Sequence, residues 1–169
     1  MLITLAIIAL LFITTSAASE AVMDKLQFHY DRSIFPQNPS KYNKLFWDPK
    51  LSWENKWKDS SAREEKFPGS STIFVFLTDA WHFFKFVKNT SMFIALFFGT
   101  LATSFLLSNV FVSLLLAVLV ARVIYGLTFT LFFDKILEGY DPFGKNGKSN
   151  TPSNERNSTW MDDVNNNIK

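Results

Sequence analysis

Apolar residues in this chain gather into long runs instead of recurring at helix or strand spacing. A soluble domain of similar length would distribute them with a period near 3.6 or 2 and alternate them with polar positions, so the runs point to a membrane. The first, Leu2 to Ala18 (LITLAIIALLFITTSAA), is 17 residues without a charge, the lower limit for crossing a hydrocarbon core of ~30 Å. Ser16 and Ala18 fit the small-residue pattern of a signal-peptide cleavage site. No Lys or Arg precedes the run, however, so an uncleaved first helix is favoured over a cleaved signal. Beyond it, EAVMDKLQFHYD keeps apolar residues at Val22, Leu26 and Tyr30, and the helix can continue towards Arg32.

The pattern then changes. Arg32 to Gly69 holds four prolines, eight basic and five acidic residues, which reads as an extramembrane loop. Within it, Asp48 and Pro49 suit the N-cap and first position of a short helix that would place Trp53 and Trp57 on one face. Two readings of this segment stand side by side: an interfacial helix lying on the headgroups, and a small extramembrane domain that packs its aromatics against itself.

Pro68 and Gly69 predict a turn, and Ser70 to Thr72 offer caps for a second helix running through IFVFLTDAWHFFKFV to Lys88. A break at Lys88, Asn89 and Thr90, a third apolar run, a turn at Ser108 and Asn109, and a fourth run ending at Phe133 complete the pattern. The expected fold class is therefore an all-α polytopic membrane helix bundle with four spans near 2–22, 71–88, 91–107 and 110–133, or three if an N-terminal signal is cleaved. Residues 1–133 form the membrane domain, with a loop at 32–69, and the Asn-, Ser- and Gly-rich segment 134–169 is expected to be a polar, largely disordered tail. Ser113, Ala117 and Ala121 on the fourth span, with Gly99 and Thr103 on the third, form small-residue faces suited to close helix packing.

Charge adds orientation and excludes some functions. Seventeen basic residues against fifteen acidic give a net charge of +2, too balanced for a nucleic-acid surface, so no nucleic-acid partner is expected. With four spans, the eight basic residues of the loop outnumber the five on the opposite side (Lys85, Lys88, Lys135, Lys145 and Lys148), which puts the loop in the cytoplasm and both termini outside. The chain has no cysteine, which rules out disulfides, thiol nucleophiles and thiolate-bound metal.

Four ionisable residues in or beside the apolar runs are the candidate chemistry. Asp79 and His82 are three apart and share a helix face. Arg122 sits deep in the last span, at a depth that matches Asp79 closely enough for a buried pair. Asp24 reaches the same level if the first helix extends, whereas His29, five residues on, points about 140° away. The leading expectation is a buried Asp79–Arg122 ion pair of architectural role. A catalytic set of Asp24, Asp79, His82 and Arg122 is the alternative, with Asp24, Asp79 and His82 as metal ligands or acid/base groups and Arg122 holding an anionic group, as in a metal-dependent membrane hydrolase of a lipid-like substrate. An ion or proton pathway is the third.

The run FLTDAWHFFKF, with MDKLQFHY upstream and FWDPKLSWENKW and KFPGSST in the loop, resembles a group of small, functionally uncharacterised bacterial and phage polytopic membrane proteins over about residues 22–88. The resemblance implies a multi-pass protein of a bacterial inner membrane and brings no activity, substrate or cofactor with it. A structural or interaction role within the bilayer, with a membrane-protein partner or a second copy of the chain, is the functional expectation.

Overall fold

The computed structural model describes residues 1–59 and 64–139. The disorder expected of the polar tail falls almost wholly outside them. Helix α1 spans Leu2–Phe28 and is followed by a 3-10 turn at Tyr30–Arg32. Two single-turn helices, α2 (Ile34–Gln37) and α3 (Lys44–Trp47), lead to a 3-10 segment at Ser52–Lys56 and another at Val75–Leu77. Helices α4 (Ala80–Ser104) and α5 (Val110–Leu131) then form a hairpin, and α5 ends in a π-helical turn at Phe132–Ile136. Among the described residues there are helices and two isolated β-bridges, and no strand.

Three helices, Leu2–Phe28, Ala80–Ser104 and Val110–Ile136, are long and apolar enough to cross a membrane. The four-span expectation is corrected at its second and third members. The segment 69–79 is a series of turns that begins at Gly69, whose φ of +81° is a backbone conformation glycine adopts without strain. The long helix starts only where Asp79 caps it. The expected break at Lys88 to Thr90 is absent, because α4 runs through it, with the Lys88 carbonyl also accepting a hydrogen bond from Ser16 Oγ at 3.0 Å. The predicted helix capped by Asp48 is corrected too. Asn43 caps α3 ahead of it, Asp48 Oδ1 accepts from Lys50 N at 2.9 Å in a turn, and Trp57 lies in extended backbone, bridged to Glu65.

Small side chains set the bundle. Ser16, Ala17 and Ala21 of α1 are wholly buried, and they face a partner helix that contributes buried Ala80, Ser91 and Ala95. Without bulky side chains between them the backbones come close enough for side-chain to carbonyl bonds, which is how helices associate where lipid supplies no hydrophobic contrast. Gly99 lies where all three helices meet: a Cβ there would stand 3.5 Å from that of Ala117 on α5 and 3.8 Å from that of Ala9 on α1. Thr103 Oγ1 donates to the Ser113 carbonyl at 2.9 Å and clasps the hairpin, as the small-residue faces led one to expect.

These contacts fix direction. Gly99, near the end of α4, meets Ala9, near the start of α1, while Trp81, at the start of α4, donates to Gln27 at 3.2 Å near the end of α1. So α4 is antiparallel to α1 and α5 is parallel to it. Met1 and the 105–109 turn lie at one end; the loop and the end of α5 lie at the other, where Lys25 is ion-paired with Glu138 and stacked over Phe133 at 4.1 Å.

The loop makes a layer against that second end. Phe35 is buried and stacks on Trp47 with ring centroids 4.7 Å apart, Tyr42 meets both edge-on, and Trp47 reaches Phe84 of α4 at 5.8 Å. Trp47 thus packs on other loop aromatics, whereas Trp53 remains 46% exposed.

A pair of cysteines separates three spans from four. Four spans would put the loop and the 105–109 turn on the same side, whereas three put them on opposite sides. Ser40→Cys and Ser108→Cys, in a chain with no native cysteine, are expected to react with an impermeant maleimide from opposite faces. Gly99→Leu is expected to cost about 1 to 3 kcal/mol in detergent unfolding by forcing the helices apart, and Gly99→Ala much less.

Candidate functional site

The most polar part of the loop-side end is organised by Asp79. As N-cap of α4 its carboxylate accepts from the His82 backbone N–H at 2.8 Å, satisfying one of the donors that every helix start leaves without a partner. The same carboxylate lies 2.7 and 2.8 Å from Nδ1 of the His82 ring, and Lys56 Nζ approaches it at 3.6 Å. Asp79 is 4% exposed, so its charge is held by a helix start, an imidazole and an ammonium instead of by water.

Lys56 is placed by the loop's own bonds. Its carbonyl accepts from Ser70 Oγ at 2.7 Å and from Lys66 N at 3.0 Å. Next to it, Asn55 Nδ2 donates to the Thr78 carbonyl at 2.5 Å, and Lys66 Nζ donates to Asn55 Oδ1 at 2.5 Å. Glu65 closes the adjoining turn, accepting from Gly69 N at 2.8 Å, from Ser71 N at 3.2 Å and from the Ser71 hydroxyl. The Ser71 hydroxyl first, and then the two backbone N–H groups, hold the Glu65 carboxyl below the usual carboxylate range.

His82 and Lys56 open onto a cleft of about 380 Å³ walled by Trp47, Trp53, Trp81 and Phe46. With Nδ1 held by a carboxylate, the imidazole presents Nε2 as its remaining acid/base nitrogen, the arrangement that fixes tautomer and ring orientation wherever histidine works as a base or ligand.

A second polar cluster lies deeper in the bundle. Glu20 of α1 is ion-paired with Lys88 of α4 and accepts from the Tyr125 hydroxyl of α5 at 2.7 Å. Arg122, one turn before Tyr125, lines the same cleft of about 370 Å³. No hydrogen bond or ion pair joins Arg122 to another described residue.

Of the four expected site residues, the structure brings Asp79 and His82 together and separates the other two. Arg122 shares its cleft with Lys88, nine residues and about 13 Å along α4 from Asp79. The expected Asp79–Arg122 pair is therefore replaced by Asp79–Lys56. A span beginning near residue 71 would put Asp79 inside the membrane, whereas it stands at the mouth of a helix that begins one residue later. Asp24 sits within the electrostatic reach of Glu20 and Lys88 instead of beside Asp79 and His82. Among the described residues no three His, Cys, Asp or Glu side chains are grouped as a metal set, so Asp24, Asp79 and His82 do not form one.

Sequence reasoning passed over Lys56, Glu20, Lys88 and Tyr125. Glu20 was detectable, since it lies one turn from Asp24 and on the same face. Lys88 reads in sequence as the end of a helix, and Lys56 is one of eight loop cations with nothing local to distinguish it.

Asp79→Ala is expected to lower stability by about 0.5 to 2 kcal/mol through the lost cap alone. In double-mutant cycles Asp79→Asn should couple to Lys56→Met by roughly 0.5 kcal/mol or more, whereas Asp79→Asn and Arg122→Gln should add within about 0.5 kcal/mol. Compared with known proteins, the chain matches no family model, no curated protein and no solved structure.

Proposed function

We propose that this is a multi-pass protein of a bacterial inner membrane with its loop side in the cytoplasm, where the aromatic cleft serves as an interaction site. The orientation rests on an asymmetry that the three-span arrangement sharpens. The bundle end that carries Met1 and the 105–109 turn is built from residues 1–24 and 89–121, which contain no Lys or Arg at all. Every basic residue of the chain lies outside those two segments, and positive charge is retained on the cytoplasmic side. In whole cells, Ser108→Cys is then expected to label from outside and Ser40→Cys only after the membrane is opened.

The observation that carries the interaction role is a cleft with rigid indole walls, placed beside a histidine whose orientation is set from behind. Aromatic anchors, an oriented polar group and partial exposure are what recognition sites use. In this reading Asp79 is a positioning residue, Lys56 supplies positive charge, and His82 offers a donor or acceptor to the bound group.

The Asp79–His82 hydrogen bond favours one second reading, acid/base hydrolysis of a lipid-like substrate, with His82 as the base. One experiment addresses both. Octyl phosphate, titrated below its micellar concentration, is expected to change the tryptophan fluorescence of the wild-type protein, and His82→Gln should weaken the response about tenfold in a protein that retains its helical circular dichroism. An unchanged response in His82→Gln would remove the cleft from consideration. Release of inorganic phosphate, abolished by Asp79→Asn, would select the enzymatic reading.

A further inference from the structure

We propose that the deeper cleft between α1, α4 and α5 is a binding site for one phospholipid with a monoanionic headgroup, drawn from the loop-side leaflet. Each of the three helices presents the same order of side chains to this cleft. On α1, Glu20 stands on the loop side of Ile13; on α4, Lys88 stands on the loop side of Met92 and Leu96; on α5, Arg122 stands on the loop side of Val118. The cleft is therefore polar at its loop-side end and apolar towards the middle of the bundle. An acyl lipid of that leaflet has the same polarity in the same direction, headgroup outward and chain inward.

Charge selects the headgroup. The cleft is lined by two cations, Lys88 and Arg122, and one carboxylate, Glu20. Lys88 and the Tyr125 hydroxyl are both committed to Glu20, which leaves the Arg122 guanidinium with five N–H donors and no hydrogen-bond or ion-pair partner among the described residues. An arginine at this depth is costly to leave without a hydrogen-bonded counter-charge. A phosphodiester supplies one negative charge and two oxygens in the geometry that guanidinium binds through paired hydrogen bonds. The adjacent volume of about 370 Å³ has room for the phosphate and the first part of a chain.

Val118, in the apolar part, is 42% exposed on the outside of the bundle, so a chain can enter laterally from the bilayer. Val123 and Leu127, on the loop side of Arg122, are 64% and 70% exposed, so apolar surface continues past the cleft and the headgroup would sit below the outer rim of the bundle. That placement withdraws the phosphate from bulk water and strengthens its pairing with Arg122.

Native mass spectrometry of the full chain, released from nanodiscs holding equal amounts of phosphatidylglycerol and phosphatidylcholine with identical acyl chains, tests the assignment. The expected result is one retained phosphatidylglycerol per chain, favoured at least fivefold over phosphatidylcholine. Arg122→Gln should abolish the preference and Arg122→Lys should keep part of it. Leu96→Trp, which fills the chain end and leaves the charges untouched, should reduce retention of both lipids. Equal retention of the two lipids by the wild type would overturn the proposal, and this readout needs no variant to fold. An unchanged preference in Arg122→Gln would do the same. Displacement of the lipid by 10 mM inorganic phosphate would also overturn it, since the site would then take a free anion. None of these outcomes depends on His82 or on the loop cleft.

Discussion

The capping of α4 by Asp79 is the interaction on which the rest of the arrangement depends. A helix that began near residue 71, as the apolar run suggests, would turn residues 71–79 into membrane-spanning chain and make Lys88 to Thr90 its end. Starting at Asp79 instead gives one continuous helix of 25 residues. It also leaves the preceding segment to fold back, with Phe76 stacked on Phe86 at 4.5 Å. The same carboxylate holds the His82 ring and approaches Lys56. A single buried charge thus starts a long apolar helix, fixes how many such helices the described residues form and joins the loop layer to the bundle. Its near-complete burial is sustainable because the backbone and ring of His82 hold it from the helix and Lys56 approaches it from the loop.

Charge is absent from one end of the bundle and concentrated at the other. Residues 2–19 of α1 carry no charge over about 27 Å of helix, 89–104 of α4 none over about 24 Å, and 110–121 of α5 none over about 18 Å. The first ionisable groups met from that end, Glu20, Lys88 and Arg122, gather in one cleft on three different helices. Insertion energetics account for the grouping: a lone charge facing lipid is expensive, and a shared cleft lets opposite charges and a phenol hydroxyl compensate one another. The two polar clusters have different characters. The one at Asp79 is built from a helix start and a loop and opens among tryptophans; the one at Glu20 is built from helix faces and opens towards lipid.

The packing of the apolar half follows from side-chain size more than from hydrophobicity. Ile7, Leu11, Leu119, Val123 and Leu127 are exposed, while serine, alanine and glycine line the contacts. In a bilayer this is the expected inversion, because large apolar side chains are as well placed against acyl chains as against each other, and close backbone approach is what lipid cannot supply.

The amino-acid sequence by itself determined that the chain is helical with helices apolar enough to cross a membrane, that the last of them begins after Asn109, and which small-residue faces pack. These follow from composition, run length and spacing along one helix, all of which are local. It also placed Asp79 and His82 on a common face, since three residues on a helix suffice for that. The number of long apolar helices, the partner of Asp79 and the partition of the ionisable residues into two clusters were decided only by the tertiary structure. An aspartate before an apolar run can be an intramembrane charge or a helix cap, and which it becomes depends on whether Lys56, 23 residues earlier, is brought within 3.6 Å of it. Lys88 likewise ends a helix on its own, but continues one when Glu20 of α1 lies opposite. Both choices are made by contacts between distant parts of the chain, and no pattern along a single stretch records them.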